Sequence, residues 1–308
     1  MSTTRIITVT CWAISAVALS GLIIWFLVND VPGFEFGSLE PVGTHSVPVD
    51  SIDSLFINWT SGAVNIRTHD GNEIQITEFA RRGLRENEYL RLNTDGNILA
   101  IYFTEHQIIR NNMPSKQLEI LIPYTLNENF ESFHVNTVSG RIEISNIHAN
   151  DFTANTVSGR IELSSITSKA LSATTTSGRI ELASVQAEEI YLQTISGRIV
   201  TIDTQAQSLH TNTVSGRHEL SGGFDMVSAR STSGRIELTS TIVPEHLAAH
   251  TTSGRIEVTV PNEGTISVQH STSSRFSSEI PVNHPDNADA HFNLSTSSGR
   301  ISIFELRR

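Results

Sequence analysis

Residues 137–144 read TVSGRIEI, and close copies of that octapeptide follow down the chain. They are TVSGRIEL at 156–163, TTSGRIEL at 175–182, TISGRIVT at 194–201, TVSGRHEL at 213–220, STSGRIEL at 231–238 and TTSGRIEV at 251–258. The SGR glycines fall at 140, 159, 178, 197, 216, 234, 254 and 299, with the first four spacings all 19 residues. Between the last two, Ser273-Ser274-Arg275 holds the place with serine where glycine would stand. A fixed period well below 50 residues marks a repeat architecture in which no single unit can bury its own apolar face.

Alternation says what each repeat is made of. In FHVNTVSGRIEI, residues 133–144, Phe133, Val135, Thr137 and Ser139 share one phase, and Ile142 and Ile144 share the next. A period of two with many β-branched residues is strand, not helix. The phase changes at the glycine, where a tight corner or bulge would use an angle that other residues resist. A second break falls between copies, at NIHAND (146–151) or TSKA (167–170).

The fold class this predicts is all-β: a single-stranded β-solenoid of ~19-residue coils, each with two short strands, in which like residues form ladders. The same signature without arginine appears at LFINWTSGAVNI, 55–66, with Gly62 at its corner. NTDGNILAIYF (93–103) and KQLEILIPY (116–124) read as further strands, and RRGLRENE (81–88) as an excursion between them. Atypical end units would cover the open edges. The expected layout is therefore irregular N-terminal coils at 43–132, regular SGR repeats at 133–258 and irregular C-terminal coils at 259–308.

Ahead of the repeats, 6–28 reads IITVTCWAISAVALSGLIIWFLV, 23 residues without a charge. That is long enough to cross a bilayer core of about 30 Å as one transmembrane helix. Trp12 and Trp25 lie near its ends; Arg5 precedes it, and Asp30, Glu35 and Glu40 follow. This charge difference places 1–5 in the cytoplasm and the solenoid outside, joined by a tether at 29–42. The rival reading, a cleaved signal peptide, lacks a small-x-small site after WFLVND. The only cysteine, Cys11, lies inside the apolar run, so neither an intrachain disulfide nor a cysteine metal cluster can form.

The 308 residues carry a formal net charge of −11 and only two lysines, Lys116 and Lys169. Such a surface repels nucleic acid, which is excluded as an expected partner. No phosphate-binding glycine loop with lysine, HExxH or calcium loop occurs, and no cofactor is expected. The column Ser139, Ser158, Ser177, Ser196, Ser215, Ser233 and Ser253 is expected to point inward. With Thr137, Thr156, Thr175, Thr194 and Thr213 it would form a hydroxyl ladder near the corner, since a nucleophilic serine needs its own base and orienting group. Asp225, Asp286 and Asp289 form no persuasive acid–base pair, so no catalytic residue is assigned.

Arg141, Arg160, Arg179, Arg198, Arg217, Arg235, Arg255, Arg275 and Arg300 should lie along one line of the coil, with rungs about 4.8 Å apart. Two residues on come Glu143, Glu162, Glu181, Glu219, Glu237 and Glu257, which would offset that charge. The column is thus either an architectural ladder or a candidate ligand stripe for carboxylates or phosphates of an envelope polymer. Val200, Ser277 and Ser302 interrupt the glutamates, leaving Arg198, Arg275 and Arg300 the least neutralised. His246 and His250 are four apart, roughly 13 Å on a strand, too far for one metal ion. His134, His210 and His250 fall in outward phases on distant rungs, and no metal site is expected. His218 replaces the inward isoleucine of the other copies and is the expected place for pH-dependent stability.

The apolar N-terminal segment followed by tandem TxSGxIxI strands resembles the bacterial β-strand-repeat family of putative adhesins, related to the toast-rack domains of envelope-stress proteins. The likeness covers roughly 45–305 and is best at 137–258. It implies an extracytoplasmic β-solenoid on a membrane anchor, with no catalytic residues to carry over. Arginine after SG departs from the acidic or variable residue usual in that family. The function expected is a noncatalytic, membrane-anchored surface protein, an adhesin or envelope scaffold whose partner is an envelope polymer or membrane protein. An accessory of envelope-stress signalling acting through a membrane partner is the second expectation, and a polysaccharide-cleaving β-helix enzyme the third.

Overall fold

The computed structural model describes residues 39–49, 52–104, 115–126, 130–282 and 288–307. Within them eighteen strands hydrogen-bond into one continuous sheet system. The one helical element among the described residues is a 3-10 turn, Glu86–Glu88, inside the expected excursion. The apolar run 6–28 lies outside the described residues, and among those described no helix is long and apolar enough to cross a membrane.

The repeats coil as a β-solenoid. Neighbouring coils pair in parallel with like residues opposite like: Ile161 faces Ile142, Glu162 faces Glu143, Gly178 faces Gly197 and Arg179 faces Arg198. In-register stacking satisfies each strand's N–H and C=O groups from the rungs on either side. It also lines identical apolar groups into columns. Phe133 stacks on Phe152 with centroids 5.2 Å apart, for example. The core is one continuous cluster running from Ile52 to Ile303.

Side-chain burial corrects the count of sides in each coil. From Ile142 the inward residues are Ile142 and Ile144, then Ile147 and Ala149, then Phe152, Ala154 and Thr156. The inward phase therefore shifts three times per coil, giving three short faces where the alternation suggests two. The single break expected across NIHAND is two corners. The first is a residue in the left-handed region, recurring as Asn146 (φ 58°), Ser165 (φ 52°), Ser184 (φ 54°) and Asp203 (φ 49°). One left-handed residue turns the chain without ending the hydrogen-bonded ladder, so the sequence pattern hides it.

The SGR corner also differs from expectation. Only Gly62 (φ 98°) and Gly140 (φ 149°) hold positive angles there, while the other corner glycines do not. What excludes a side chain is the rung beneath. A Cβ on Gly159 would lie 1.8 Å from the Gly140 carbonyl oxygen, and one on Gly178 would lie 1.7 Å from that of Gly159. The same contact repeats at Gly197, Gly216, Gly234, Gly254 and Gly299. Glycine here permits close approach of backbone to backbone.

Because the turn begins at the serine, Ser158, Ser177, Ser196, Ser215, Ser233 and Ser253 are exposed on the corner, contrary to their expected inward phase. The inward hydroxyl column is instead Thr137, Thr156, Thr175, Thr194 and Thr213, continued by Ser231, Thr251 and Thr296, all buried. Thr137 Oγ1 donates to Thr156 Oγ1 at 2.9 Å, while Thr251 and Thr296 donate to the glycine carbonyls of adjacent rungs.

Both ends exchange rung order. At the N-terminal end the strand Ser54–Ser61 lies between Ile98–Tyr102 and Phe130–Ser139. At the other end Ala290–Thr296 inserts between His246–Ser253 and Ile266–Thr272. In each case the outermost rung in space is not the outermost in sequence. Antiparallel strands then close the N-terminal edge: Arg91–Asp95 on Ile98–Tyr102, Glu73–Ala80 on Lys116–Pro123, and Glu40–Pro48 on Glu73–Ala80. The last of these begins inside the stretch read as tether. Reversing strand direction in this way blocks further parallel stacking.

Candidate functional site

The arginine column runs along the SGR corner. Each arginine follows the turn glycine, so its side chain leaves the coil where the backbone changes direction. Its glutamate sits two residues on along the next strand, on the same outward face. Arg160 Nη1 lies 2.7 Å from Glu162, Arg179 Nη1 3.2 Å from Glu181, and Arg217 and Arg255 each 3.1 Å from Glu219 and Glu257. Arg235 pairs with Glu237 in the same way. The hydrogen bond that Arg160 donates to Glu162 holds its guanidinium above its ordinary pKa.

Two contacts tie successive rungs. Arg141 Nε is 3.7 Å from Glu162, and Arg198 Nε is 3.7 Å from Glu219. The second corrects the expectation for Arg198. Val200 removes its own-rung partner, but the next rung supplies one because the ladder sets glutamates a single rung apart. Arg275 and Arg300 make no ion pair among the described residues. They occupy neighbouring rungs, since Phe276 pairs with Ile301. Where other copies carry glutamate these carry Ser277 and Ser302, whose hydroxyls hydrogen-bond at 3.1 Å.

A second outward ladder follows the longest face. Asn136 Nδ2 donates to Asn58 Oδ1 at 3.2 Å, Asn155 Nδ2 to Asn136 Oδ1 at 3.0 Å, and Thr174 Oγ1 to Asn155 Oδ1 at 2.5 Å. Beside it His134 stacks on Phe56 at 4.7 Å, and burial lowers its pKa against an opposing effect of Asp151. His210 and His250 are exposed and lie apart from that pair.

His218 is fully buried in the isoleucine column, as its phase suggests. Nδ1 lies 2.9 Å from Thr211 Oγ1, whereas Nε2 makes no well-aligned hydrogen bond among the described residues. Desolvation lowers its pKa to about 4, only partly offset by the Arg230 backbone, so the ring is neutral near pH 7.

Two groupings have no counterpart in the sequence reading. Lys116 and Glu78 form a fully buried ion pair beneath the N-terminal closing strands. Lys116 being one of two lysines was the only hint, and nothing in the pattern names its partner. His246 and His291 stack across a rung boundary, a proximity created by the exchanged rung order.

The family model described as Toastrack DUF4097 matches this chain over residues 52–304. The chain belongs to that family. Two solved structures share its fold, each at a TM-score of 0.50. One is a putative adhesin from Parabacteroides distasonis, 13% identical, with 87% of this chain and 98% of that one covered. The other is a putative lipid binding protein from the same organism, 15% identical, with 88% and 98% covered. At such identities the likeness extends to fold alone. No curated protein matches this Toastrack chain.

Proposed function

We propose that this Toastrack protein is a noncatalytic, membrane-anchored binding module of a bacterial envelope, serving as an adhesin or scaffold. The observation that carries the reading is the C-terminal end of the arginine ladder, where the glutamate column stops. Along most of the rod each guanidinium has a carboxylate beside it. At Arg275 and Arg300 the carboxylates are replaced by the hydroxyls of Ser277 and Ser302. Two guanidiniums one rung apart, neither with an ion pair among the described residues, suit a carboxylate or phosphate that bridges them, because the arginine fork matches such anions. A polymer that repeats its anionic groups fits a rod that repeats its rungs.

The names of the two Parabacteroides structures agree with a binding role rather than a specific chemistry. The apolar run 6–28 supplies the anchor, with the short N-terminus in the cytoplasm and the solenoid extracytoplasmic. The partner is an envelope polymer or membrane protein that offers an anionic group to this local cationic pair, against the repulsion of a chain with a net charge of −11.

The deciding experiment is sedimentation of the purified protein with isolated cell-wall and membrane fractions across a salt series. An Arg275→Gln/Arg300→Gln variant and an Arg160→Gln/Arg179→Gln/Arg198→Gln variant run beside it. Salt-sensitive binding lost in the first and kept in the second supports the reading. Failure of the folded protein to bind any fraction at physiological salt rejects it.

A further inference from the structure

Insertion of Ala290–Thr296 beside His246–Ser253 sets His291 directly opposite His246. Their imidazole rings stack with centroids 5.8 Å apart and 17° between planes. Both side chains are exposed, and among the described residues neither ring makes a hydrogen bond. They wall a shallow pocket of about 290 Å³ that Ser267, Gln269 and Asn293 complete. On the far side of His246, in register with it, stands Met226, 44% exposed. One column thus presents a thioether and two imidazoles on three successive rungs.

Two exposed imidazoles stacked one rung apart are of the right type and spacing to share a metal ion. The rungs are about 4.8 Å apart, and two metal–nitrogen bonds of about 2.0 Å can meet between them once the rings rotate about their side-chain bonds. The β-ladder fixes both backbones, so binding costs only rotamer freedom at two side chains. No group of three or more His, Cys, Asp or Glu converges among the described residues, so the protein would supply two nitrogens. Water or the amide oxygens of Gln269 and Asn293 would complete the shell. Imidazole suits copper, nickel and zinc, and Cu²⁺ binds tightest in that series.

We propose that His246 and His291 form a copper site at the C-terminal end of the solenoid, one nitrogen of each ring binding the ion. The site is separate from the arginine ladder and does not depend on the envelope-binding reading.

The test is titration of the purified full chain with Cu²⁺ and with Zn²⁺ by calorimetry, with electron paramagnetic resonance of the copper form. One Cu²⁺ should bind with hyperfine coupling to two imidazole nitrogens, at least tenfold more tightly than Zn²⁺. His246→Ala and His291→Ala should each weaken Cu²⁺ binding tenfold or more and leave a single coupled nitrogen. Melting curves without metal establish that both variants fold. Unchanged affinity in both variants overturns the proposal. So does an equal loss in His250→Ala, which would indicate unspecific binding by surface histidines. Tighter binding of Zn²⁺ than of Cu²⁺ overturns the assignment to copper.

Discussion

Lys116 Nζ lies 2.5 Å from Glu78 Oε1, and both side chains are wholly excluded from solvent. The ammonium also donates to the Glu88 carbonyl at 2.6 Å and to that of Phe103, and sits 4.1 Å from the Phe103 ring centre. Trp59 Nε1 in turn donates to the Lys116 carbonyl at 3.2 Å. Desolvation still lowers the lysine's pKa, against the raising effect of Glu78. A single ion pair thus joins the antiparallel closing strands to the first parallel rungs.

Removing one partner strands the other charge in an apolar interior. Lys116→Met is expected to cost about 3–5 kcal/mol, because Glu78 keeps its desolvation and loses its counter-ion. Lys116→Met/Glu78→Leu should recover at least half of that loss. Denaturant unfolding of the two variants and the parent checks this, and a double variant no better than the single one contradicts it.

The glycine stack makes a sharper claim. A Cβ at Gly178 would fall 1.7 Å from the Gly159 carbonyl oxygen, whereas one at Gly83 meets nothing within 4 Å. Gly178→Ala must therefore push two rungs apart, at a cost of about 3 kcal/mol or more. That corresponds to a fall in Tm of about 6–12 °C for a domain of this size. Gly83→Ala, a surface change, should alter stability by no more than about 0.5 kcal/mol.

His218 should make the protein acid-sensitive. Its folded pKa of about 4 lies below the ordinary value of 6.5, so the unfolded chain binds the proton more readily. The stability it contributes is complete above the unfolded pKa and falls as pH drops through the window from 6.5 to about 4. By pH 5 the loss from this residue is about 2 kcal/mol. His218→Ile restores the residue of the other copies and should reduce the difference in Tm between pH 7.5 and pH 5.0. An unchanged difference removes His218 as its cause.

The ion pairs of the ladder are partly exposed and individually weak. Their side chains keep 33–50% of their exposure at Arg141, Arg160, Arg179, Arg198 and Arg217. Each pair contributes ~0–1 kcal/mol. The Arg160→Gln/Arg179→Gln/Arg198→Gln variant should accordingly stay folded, with Tm lowered by only a few degrees. Loss of cooperative melting in that variant would make the column essential to folding.

Much of this architecture was legible from the repeat. A period of 19 residues and inward isoleucines at 142, 161, 180 and 199 specify coils that stack in register, because any other register would expose the apolar columns. The arginine line and most of its glutamate partners follow from the same alternation. The third corner was not legible. A left-handed residue such as Asn146 or Ser165 interrupts the period of two by one residue, and the flanking side chains are equally compatible with a straight strand. The serine column was misplaced for a related reason: the turn starts one residue before the glycine.

The sequence by itself determined that this chain coils, how many residues each coil takes and which apolar columns are buried. These are properties of contacts exactly one repeat apart, written again in every copy. Only the tertiary structure decided the order of the rungs at the two ends, and with it the meeting of Lys116 with Glu78 and of His246 with His291. Every rung presents nearly the same inward pattern, so the pattern cannot say whether 266–278 or 290–305 stacks next to 246–260. That choice depends on how the open edges are closed, which is a contest between whole rungs.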